Sequence, residues 1–188
     1  MAEPLVFEPE RRAIPYVIEG DGPVVVLLPD RGLEIGYLGP LAHSLASEDF
    51  RVVRIGWGNR DASPQELAED VVAVLEQAGV ADGWIGGHGF GGTVARVLTH
   101  AHHERANGLL LLGVEAGADG PAVLADGIPV LVVQGAEDTV TPPANGEALR
   151  ASAPGLVSVV TVDGGEHLFP ATHVGATSWA IEDYLDWD

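Results

Sequence analysis

The residues most able to carry chemistry form a glycine cluster, Gly86-Gly87-His88-Gly89-Phe90-Gly91-Gly92. The cluster lies between a short apolar segment and a helical one. Close packing of a helix on a strand could use some of these glycines, but five in seven residues are more than packing usually needs. Glycines at a strand-to-helix turn are typical of a phosphate-binding loop or of a turn that presents a catalytic side chain.

One interpretation of the cluster is a dinucleotide fingerprint. Gly87, Gly89 and Gly92 fit the spacing G-x-G-x-x-G, and Glu115 follows about 20 residues later, where a carboxylate would bind a ribose. The pattern comes late in the chain rather than in the first strand–helix turn, and it leaves the C-terminal half unexplained. Dinucleotide binding is therefore kept as an alternative.

The second interpretation is a nucleophile elbow. The pattern G-x-S-x-G fits residues 87–91 with Gly89 in place of the serine. An elbow forces its central residue to positive φ, which costs a non-glycine residue on the order of 1–3 kcal/mol and which glycine tolerates. Gly89 should therefore relieve strain and abolish acylation. No neighbour replaces the lost hydroxyl, because Thr93 lies one helical turn further on and His88 should point away from the cleft.

The stretch from Trp84 to Gly113 resembles the α/β-hydrolase superfamily, whose run Gly-His-Ser-x-Gly-Gly precedes a helix rich in Ala and Val. Residues 129–143 look like the segment that carries the family's acid, here Asp138. Residues 164–170 look like the loop that carries its histidine, here His167. The chain order of nucleophile position, acid and histidine is that of this fold. The resemblance implies a triad of Gly89, Asp138 and His167 that lacks its nucleophile.

A second departure from the family follows the first buried strand, where relatives often carry His-Gly and this chain has Pro29-Asp30-Arg31-Gly32. The resemblance implies an oxyanion hole formed by the backbone N–H groups of Arg31 and Phe90. A carboxylate at Asp30 would oppose a developing oxyanion if it were ionised and close. The alternative is a solvated loop carboxylate paired with Arg31.

Alternating strand and helix patterns must position these residues. Short apolar, β-branched runs predict buried strands at Val24–Leu28, Arg51–Trp57, Trp84–Ile85, Gly108–Val114, Pro129–Val133 and Val157–Val162. Helices are predicted at Pro64–Gly79, capped by Ser63, and at Thr93–Ala101, Ala144–Ala151 and Ala176–Leu185. Leu5–Phe7 and Tyr16–Ile18 are candidates for a leading antiparallel hairpin. We expect an α/β fold of the α/β-hydrolase type, with a mostly parallel sheet, helices on both faces and a single domain over residues 1–188.

The segment where many relatives insert a lid is short in this chain. Only 14 residues, Glu115 to Ile128, separate two predicted strands. This length leaves room for a short helix at most, so we expect no cap domain and an open, shallow cleft. Such a cleft suits a small ligand.

Composition excludes several classes of function. The 188 residues include no cysteine, so disulfides, a thiolate nucleophile and cysteine-ligated metals are excluded. The net charge of −19 argues against binding to nucleic acid or to an anionic membrane surface. Because neither a membrane-spanning stretch nor a signal peptide is visible, we expect a cytoplasmic protein.

Besides dinucleotide binding, three hypotheses about function remain open at this point. The chain could bind a small molecule or a protein partner in a former active site. It could instead be an ester hydrolase in which His167 activates a water held in the space vacated at Gly89. It could also be a serine ester or amide hydrolase whose serine has been replaced by Gly89. We expect no cofactor. We also expect no metal, because Glu104 is the only carboxylate that could complete a ligand set with the clustered histidines His100, His102 and His103.

Overall fold

The computed structural model describes residues 2–58, 60–117 and 124–186. Its strands are β1 (Leu5–Phe7), β2 (Ile14–Glu19), β3 (Val24–Leu28), β4 (Arg51–Ile55), β5 (Gly83–His88), β6 (Ala106–Leu112), β7 (Val130–Gly135) and β8 (Val157–Val162). Its α-helices are α1 (Gly39–Ser47), α2 (Pro64–Gln77), α3 (Phe90–Ala101), α4 (Pro143–Ser152), α5 (Phe169–Thr172) and α6 (Val174–Leu185). Short 3₁₀ turns occur at Pro9–Arg11, Ile35–Leu38 and His103–Arg105.

In this part of the chain the strands form one sheet of eight, in the order β1-β2-β4-β3-β5-β6-β7-β8. The leading hairpin β1–β2 is antiparallel, and β2 pairs with β4 in the same sense. From β4 to β8 all neighbouring strands are parallel. The predicted hairpin and the mostly parallel sheet are therefore confirmed.

Alternate residues of the central strands face two separate apolar cores. Val26, Leu28 and Ile85 belong to one core, together with side chains of α2, α3 and α4. Val25 and Leu27 belong to the other, together with side chains of α1, α5 and α6. Helices thus cover both faces of the sheet, which leaves the carboxyl ends of the parallel strands as the edge where loops can form a site.

Several predicted bounds hold closely. β3 and β8 coincide with their predicted ranges, and α2 begins at Pro64 behind a capping box formed by Ser63 and Glu66. Helix α1 was not predicted. It has no side-chain cap at its N-terminus and opens with Gly39 and Pro40, so the usual start signal is missing.

The prediction of a lidless cleft concerns residues 115–128, of which 118–123 lie outside the described residues. Among the helices that the structure describes, none is long and apolar enough to cross a membrane.

Candidate active site

The residues singled out above meet at the carboxyl ends of four parallel strands. Asp30 follows β3, Gly89 follows β5, Asp138 follows β7 and His167 follows β8. Because neighbouring parallel strands end at the same edge of a sheet, loops that are distant in sequence converge there.

Gly89 occupies a sharp turn between β5 and α3, with φ of 51° and ψ of −114°. Its N–H donates to the carbonyl of Leu112 at 3.0 Å. A Cβ added at Gly89 would lie 2.5 Å from Asp30 Oδ1 and 2.8 Å from Asp30 Oδ2. The glycine therefore meets two requirements, a positive φ and the close approach of a carboxylate.

Close packing accounts for part of the rest of the cluster. A Cβ at Gly91 would lie 2.3 Å from the carbonyl oxygen of Leu28, and a Cβ at Gly87 would lie 2.2 Å from the backbone of Gly91. These glycines let the start of α3 approach β3 and β5, as the packing interpretation supposed.

Asp138 and His167 lie together, as the resemblance implied. His167 Nδ1 is 3.0 Å from Asp138 Oδ2 and 3.2 Å from Oδ1. The Thr141 hydroxyl donates to Asp138 Oδ2 at 2.6 Å, and the N–H groups of Val140 and Thr141 donate to Oδ1. Burial opposes ionisation of Asp138, but these hydrogen bonds and the one from His167 outweigh it and lower its pKa.

The carboxylate of Asp30 accepts hydrogen bonds from both backbone groups of the implied oxyanion hole. Its Oδ1 accepts from Arg31 N–H at 2.7 Å and from Phe90 N–H at 2.9 Å. The side chain is only 14% exposed. The alternative of a solvated carboxylate paired with Arg31 is therefore wrong, and the Arg31 guanidinium instead stacks 3.7 Å above the Phe90 ring. A carboxylate oxygen thus lies on the two N–H groups that the resemblance assigned to the oxyanion hole.

His167 is held between two carboxylates. Its Nε2 is 2.6 Å from Asp30 Oδ2, opposite the contact of Nδ1 with Asp138. Burial lowers the pKa of His167, but the hydrogen bonds with Asp30 and Asp138 outweigh burial and raise it above the ordinary value. Hydrogen bonds from Phe90, His167 and Arg31 likewise outweigh burial and lower the pKa of Asp30. Because ionised carboxylates only accept hydrogen bonds, the imidazolium form, which donates from both nitrogens, fits this position best.

His88 does not point away from the site. It is fully buried, and its ring lies 4.6 Å from that of His167. His88 Nε2–H donates to the His167 carbonyl at 2.8 Å, and the Tyr37 hydroxyl donates to His88 Nδ1 at 2.8 Å. Tyr37 Oη in turn accepts from Asp30 N–H at 2.9 Å. Burial, and then the charge on His167, lower the pKa of His88 to about 4, which agrees with this neutral tautomer.

This hydrogen-bonding pattern decides whether the site residues could hold a metal. In the described part of the chain, Asp30, His88 and His167 place one ligand atom each within 4.8 Å of one another. His88 Nδ1 accepts from Tyr37, and His88 Nε2 carries the proton donated to His167. His88 therefore has no lone pair free for a metal, and the set does not fit one.

The residues of the dinucleotide alternative do not form an anion site. The start of α3 faces the Asp30 carboxylate, which would repel a pyrophosphate at this helix N-terminus. Glu115 accepts a hydrogen bond from the Thr93 hydroxyl at 2.7 Å. Dinucleotide binding gains no support from this geometry.

A cavity of about 1280 Å³ lies beside the site rather than over it. Strands β2 and β4, the loop 31–36 and the start of α1 form its walls. Arg31 and Phe90 line it, whereas Asp30, Gly89 and His167 do not. The cavity therefore adjoins the two residues that supply the backbone donors but does not reach His167.

Comparisons with known proteins agree with the fold. A family model described as TAP-like protein, of the α/β-hydrolase group, matches residues 114–187. A protein of Azorhizobium caulinodans provisionally named carbamate hydrolase RutD is 32% identical over 112 residues. That match covers 56% of this chain and 42% of the relative's length, so the chain spans less than half of that protein.

Solved structures with little sequence similarity have the same fold. A thermophilic esterase from Thermogutta terrifontis matches with a TM-score of 0.84, 18% identity and 98% coverage of both chains. An epoxide hydrolase from Vigna radiata matches with a TM-score of 0.83, 15% identity, and coverage of 100% of this chain and 98% of that chain. The predicted α/β-hydrolase fold and the resemblance to the α/β-hydrolase superfamily are therefore confirmed.

Two contributors to the site were not predicted. Tyr37 lies in a 3₁₀ turn and Thr141 in the loop after β7, and neither belongs to a motif that marks it. Asp30 was noted for its charge, but its contact with Phe90 joins residues that are 60 positions apart. Only the folded arrangement of the two loops reveals that contact.

Proposed function

We propose that this chain is an α/β-hydrolase-fold protein that forms no acyl-enzyme and binds a small molecule. The observation that carries the proposal is the position of the Asp30 carboxylate on the N–H groups of Arg31 and Phe90. Serine hydrolases need a hydroxyl at the elbow, a neutral histidine to deprotonate it, and free donors for the oxyanion. Here Gly89 has no hydroxyl, His167 is bound on both nitrogens, and the donors are occupied.

Occupation of the implied oxyanion hole by Asp30 is a second reason, besides the missing serine, to expect no acyl transfer. An enzyme that loses only its nucleophile keeps a residual ~10³–10⁴-fold rate enhancement from the oxyanion hole and from substrate binding. A substrate carbonyl at this site would meet the ionised Asp30 carboxylate, which repels the developing oxyanion. We therefore expect the residual enhancement to be lost as well.

Gly89 and Asp30 form a matched pair, which argues against a serine hydrolase altered at position 89 alone. A Cβ at Gly89 would come within 2.5–2.8 Å of three Asp30 side-chain atoms. A serine could occupy this position only after the carboxylate had moved away from Arg31 and Phe90. Glycine at 89 thus leaves Asp30 free to bind Arg31 and Phe90 in its present position, whereas serine at 89 requires the Asp30 side chain to turn away from them.

The same contact weakens the water-activation hypothesis. The space that the water would need at Gly89 is the space next to the Asp30 carboxylate. His167 Nε2, the nitrogen that would deprotonate the water, lies 2.6 Å from Asp30 Oδ2. A histidine that is protonated and hydrogen-bonded through both ring nitrogens is a poor general base.

Hydrolysis of short aryl esters tests the proposal. The unmodified chain, Gly89→Ser and Asp30→Gly should all remain at background. The double variant Gly89→Ser/Asp30→Gly should hydrolyse the esters at least about 10²-fold faster than Gly89→Ser, since a free oxyanion hole is typically worth that much. Gly89→Ala/Asp30→Gly is the matched control, because it adds the Cβ without the hydroxyl.

Two results would count against the proposal. Turnover by the unmodified chain that disappears in His167→Ala would favour the water mechanism. Turnover by Gly89→Ser alone, equal to that of the double variant, would mean that Asp30 does not block the site.

A further inference from the structure

The cavity beside the site has an apolar wall and a charged floor. Val17, Ile35, Trp57 and Phe90 contribute apolar surface, and Arg54 with Glu19 contributes the charged groups at its buried end. Its volume of about 1280 Å³ exceeds the ~300–1,000 Å³ common for small-molecule sites. Size and lining are therefore suited to an apolar molecule larger than a short ester.

Two of the three arginines that line the cavity are bound to carboxylates. Arg54 Nη2 lies 3.3 Å from Glu19 Oε2, and both side chains are about nine-tenths buried or more. Arg60 is bound to the buried carboxylate of Asp70, and the Arg31 guanidinium lies on the Phe90 ring. The lining contains three carboxylates, Glu19, Glu34 and Asp61, against three arginines, so the cavity offers little net positive charge to an anionic ligand.

The Arg54 guanidinium nevertheless keeps hydrogen-bonding capacity. Its Nη1 donates to the Ile35 carbonyl at 3.0 Å and its Nη2 to Glu19 at 3.3 Å. Each of these nitrogens carries a further N–H, and within the described residues Nε has no acceptor at all. A ligand that reaches the floor can therefore accept a hydrogen bond from Nη1 or Nη2 without disturbing the ion pair.

We propose that this cavity binds a neutral, largely apolar small molecule whose carbonyl oxygen accepts a hydrogen bond from Arg54. A ligand carboxylate would lie close to the buried carboxylate of Glu19 and would add an unpaired charge to a poorly solvated site. A hydrocarbon without an acceptor would leave the guanidinium donors unsatisfied. The inference rests on the small-molecule binding proposed above and specifies the ligand class and its place.

Three probes of nearly equal size separate these possibilities: 2-acetylnaphthalene, which carries a neutral carbonyl, 2-naphthoate, which is anionic, and 2-ethylnaphthalene, which has no acceptor. Binding is followed by shifts of the backbone amide signals of Gly32, Gly36, Gly39 and Gly56, which line the cavity. We expect 2-acetylnaphthalene to bind about tenfold more tightly than either of the others, since a hydrogen bond to a charged group is typically worth that factor.

A cavity-filling variant tests the place of binding. Gly36 lines the cavity, and a Cβ added there meets no atom within 4 Å. Gly36→Trp should abolish binding of 2-acetylnaphthalene. Gly175→Trp is the matched control, because a Cβ at Gly175 on α6 also meets open space, and it should bind like the unmodified chain.

A second pair of variants tests the role of Arg54. Removal of Arg54 alone would leave Glu19 as an unpaired buried charge, so both are replaced in Arg54→Met/Glu19→Leu. This variant should bind 2-acetylnaphthalene and 2-ethylnaphthalene within about twofold of each other. Arg105→Met/Glu76→Leu, which removes an ion pair outside the cavity, should keep the tenfold preference.

Different results would overturn the ligand class, the place of binding or the whole inference. Equal or tighter binding of 2-naphthoate overturns the ligand class, and shifts confined to His167 and Leu168 overturn the place. The absence of any cavity shift up to about 1 mM probe overturns the inference as a whole. None of these results changes the expected ester hydrolysis by the variants at positions 30 and 89, so the proposed loss of acyl transfer stands or fails separately.

Discussion

His167 donates hydrogen bonds to a carboxylate on each side, and this position determines its charge. A triad histidine normally has one carboxylate partner and keeps its other nitrogen for the nucleophile. Here Asp30 occupies that second place at 2.6 Å. The extra carboxylate stabilises the imidazolium form and contributes to the raised pKa of His167.

Replacing Asp30 by asparagine tests this coupling at the level of a single residue. Asp30→Asn removes the charge but keeps the size of the side chain, so the pKa of His167 should fall toward its ordinary value of 6.5. An NMR titration of histidine ring signals measures the change. A pKa that stays at the level of the unmodified chain would mean that Asp138 alone sets the charge on His167.

At the scale of elements, a buried bridge ties the loop after β3 to the loop after β8. It runs from Asp30 N–H to Tyr37, from Tyr37 to His88 Nδ1, and from His88 Nε2–H to the His167 carbonyl. His88 ends β5, and its ring lies 4.6 Å from that of His167, so the bridge passes close to the Asp30–His167 contact. The Tyr37 hydroxyl both accepts and donates in this bridge, and His88 accepts at Nδ1 and donates from Nε2, so the bridge ties the two loops together.

Removal of the Tyr37 hydroxyl should loosen both loops. Tyr37→Phe leaves Asp30 N–H and His88 Nδ1 without their partner, at a cost of roughly 1–3 kcal/mol in the free energy of unfolding. Hydrogen exchange at the Asp30 amide should become at least about tenfold faster. Tyr16→Phe, on β2, is the control for loss of a tyrosine hydroxyl elsewhere. Unchanged exchange at Asp30 would contradict a role for the bridge in holding this loop.

The elements were more predictable than the contacts between their loops. β3 is a continuous run of apolar, β-branched residues and α2 has a capping box, so both follow from local patterns. Asp138 and His167 came from motifs that a family resemblance supplied. The hydrogen bond from Phe90 to Asp30 depends on how closely α3 approaches β3, which glycines permit but do not specify.

At the scale of the whole molecule, the two histidines of the site affect stability in opposite directions. His167 has a raised pKa in the folded chain, so its contribution is complete below pH 6.5, its unfolded value, and is lost as pH rises through the folded pKa. His88 has a folded pKa of about 4, so its contribution is complete above pH 6.5 and is lost as pH falls toward 4. Their combined contribution should be greatest near pH 6.5.

Denaturant unfolding at several pH values checks the His88 part of this balance. The free energy of unfolding of the unmodified chain, minus that of His88→Asn, should decrease as pH falls from 6.5 to 4, because unfolding then lets His88 take up a proton. The exposed His100→Asn is the matched control. A difference that stays constant or grows on acidification would contradict a buried, neutral His88.

Asp30 occupies the N–H groups of Arg31 and Phe90, and titration with acetate tests this occupancy. In the unmodified chain, acetate should not shift the amide signals of Arg31 and Phe90, because Asp30 already fills the site. In Asp30→Gly, acetate should shift both signals saturably, since the two N–H groups and His167 are then free to bind a small carboxylate. Saturable shifts of both amide signals in the unmodified chain would mean that Asp30 does not occupy these N–H groups.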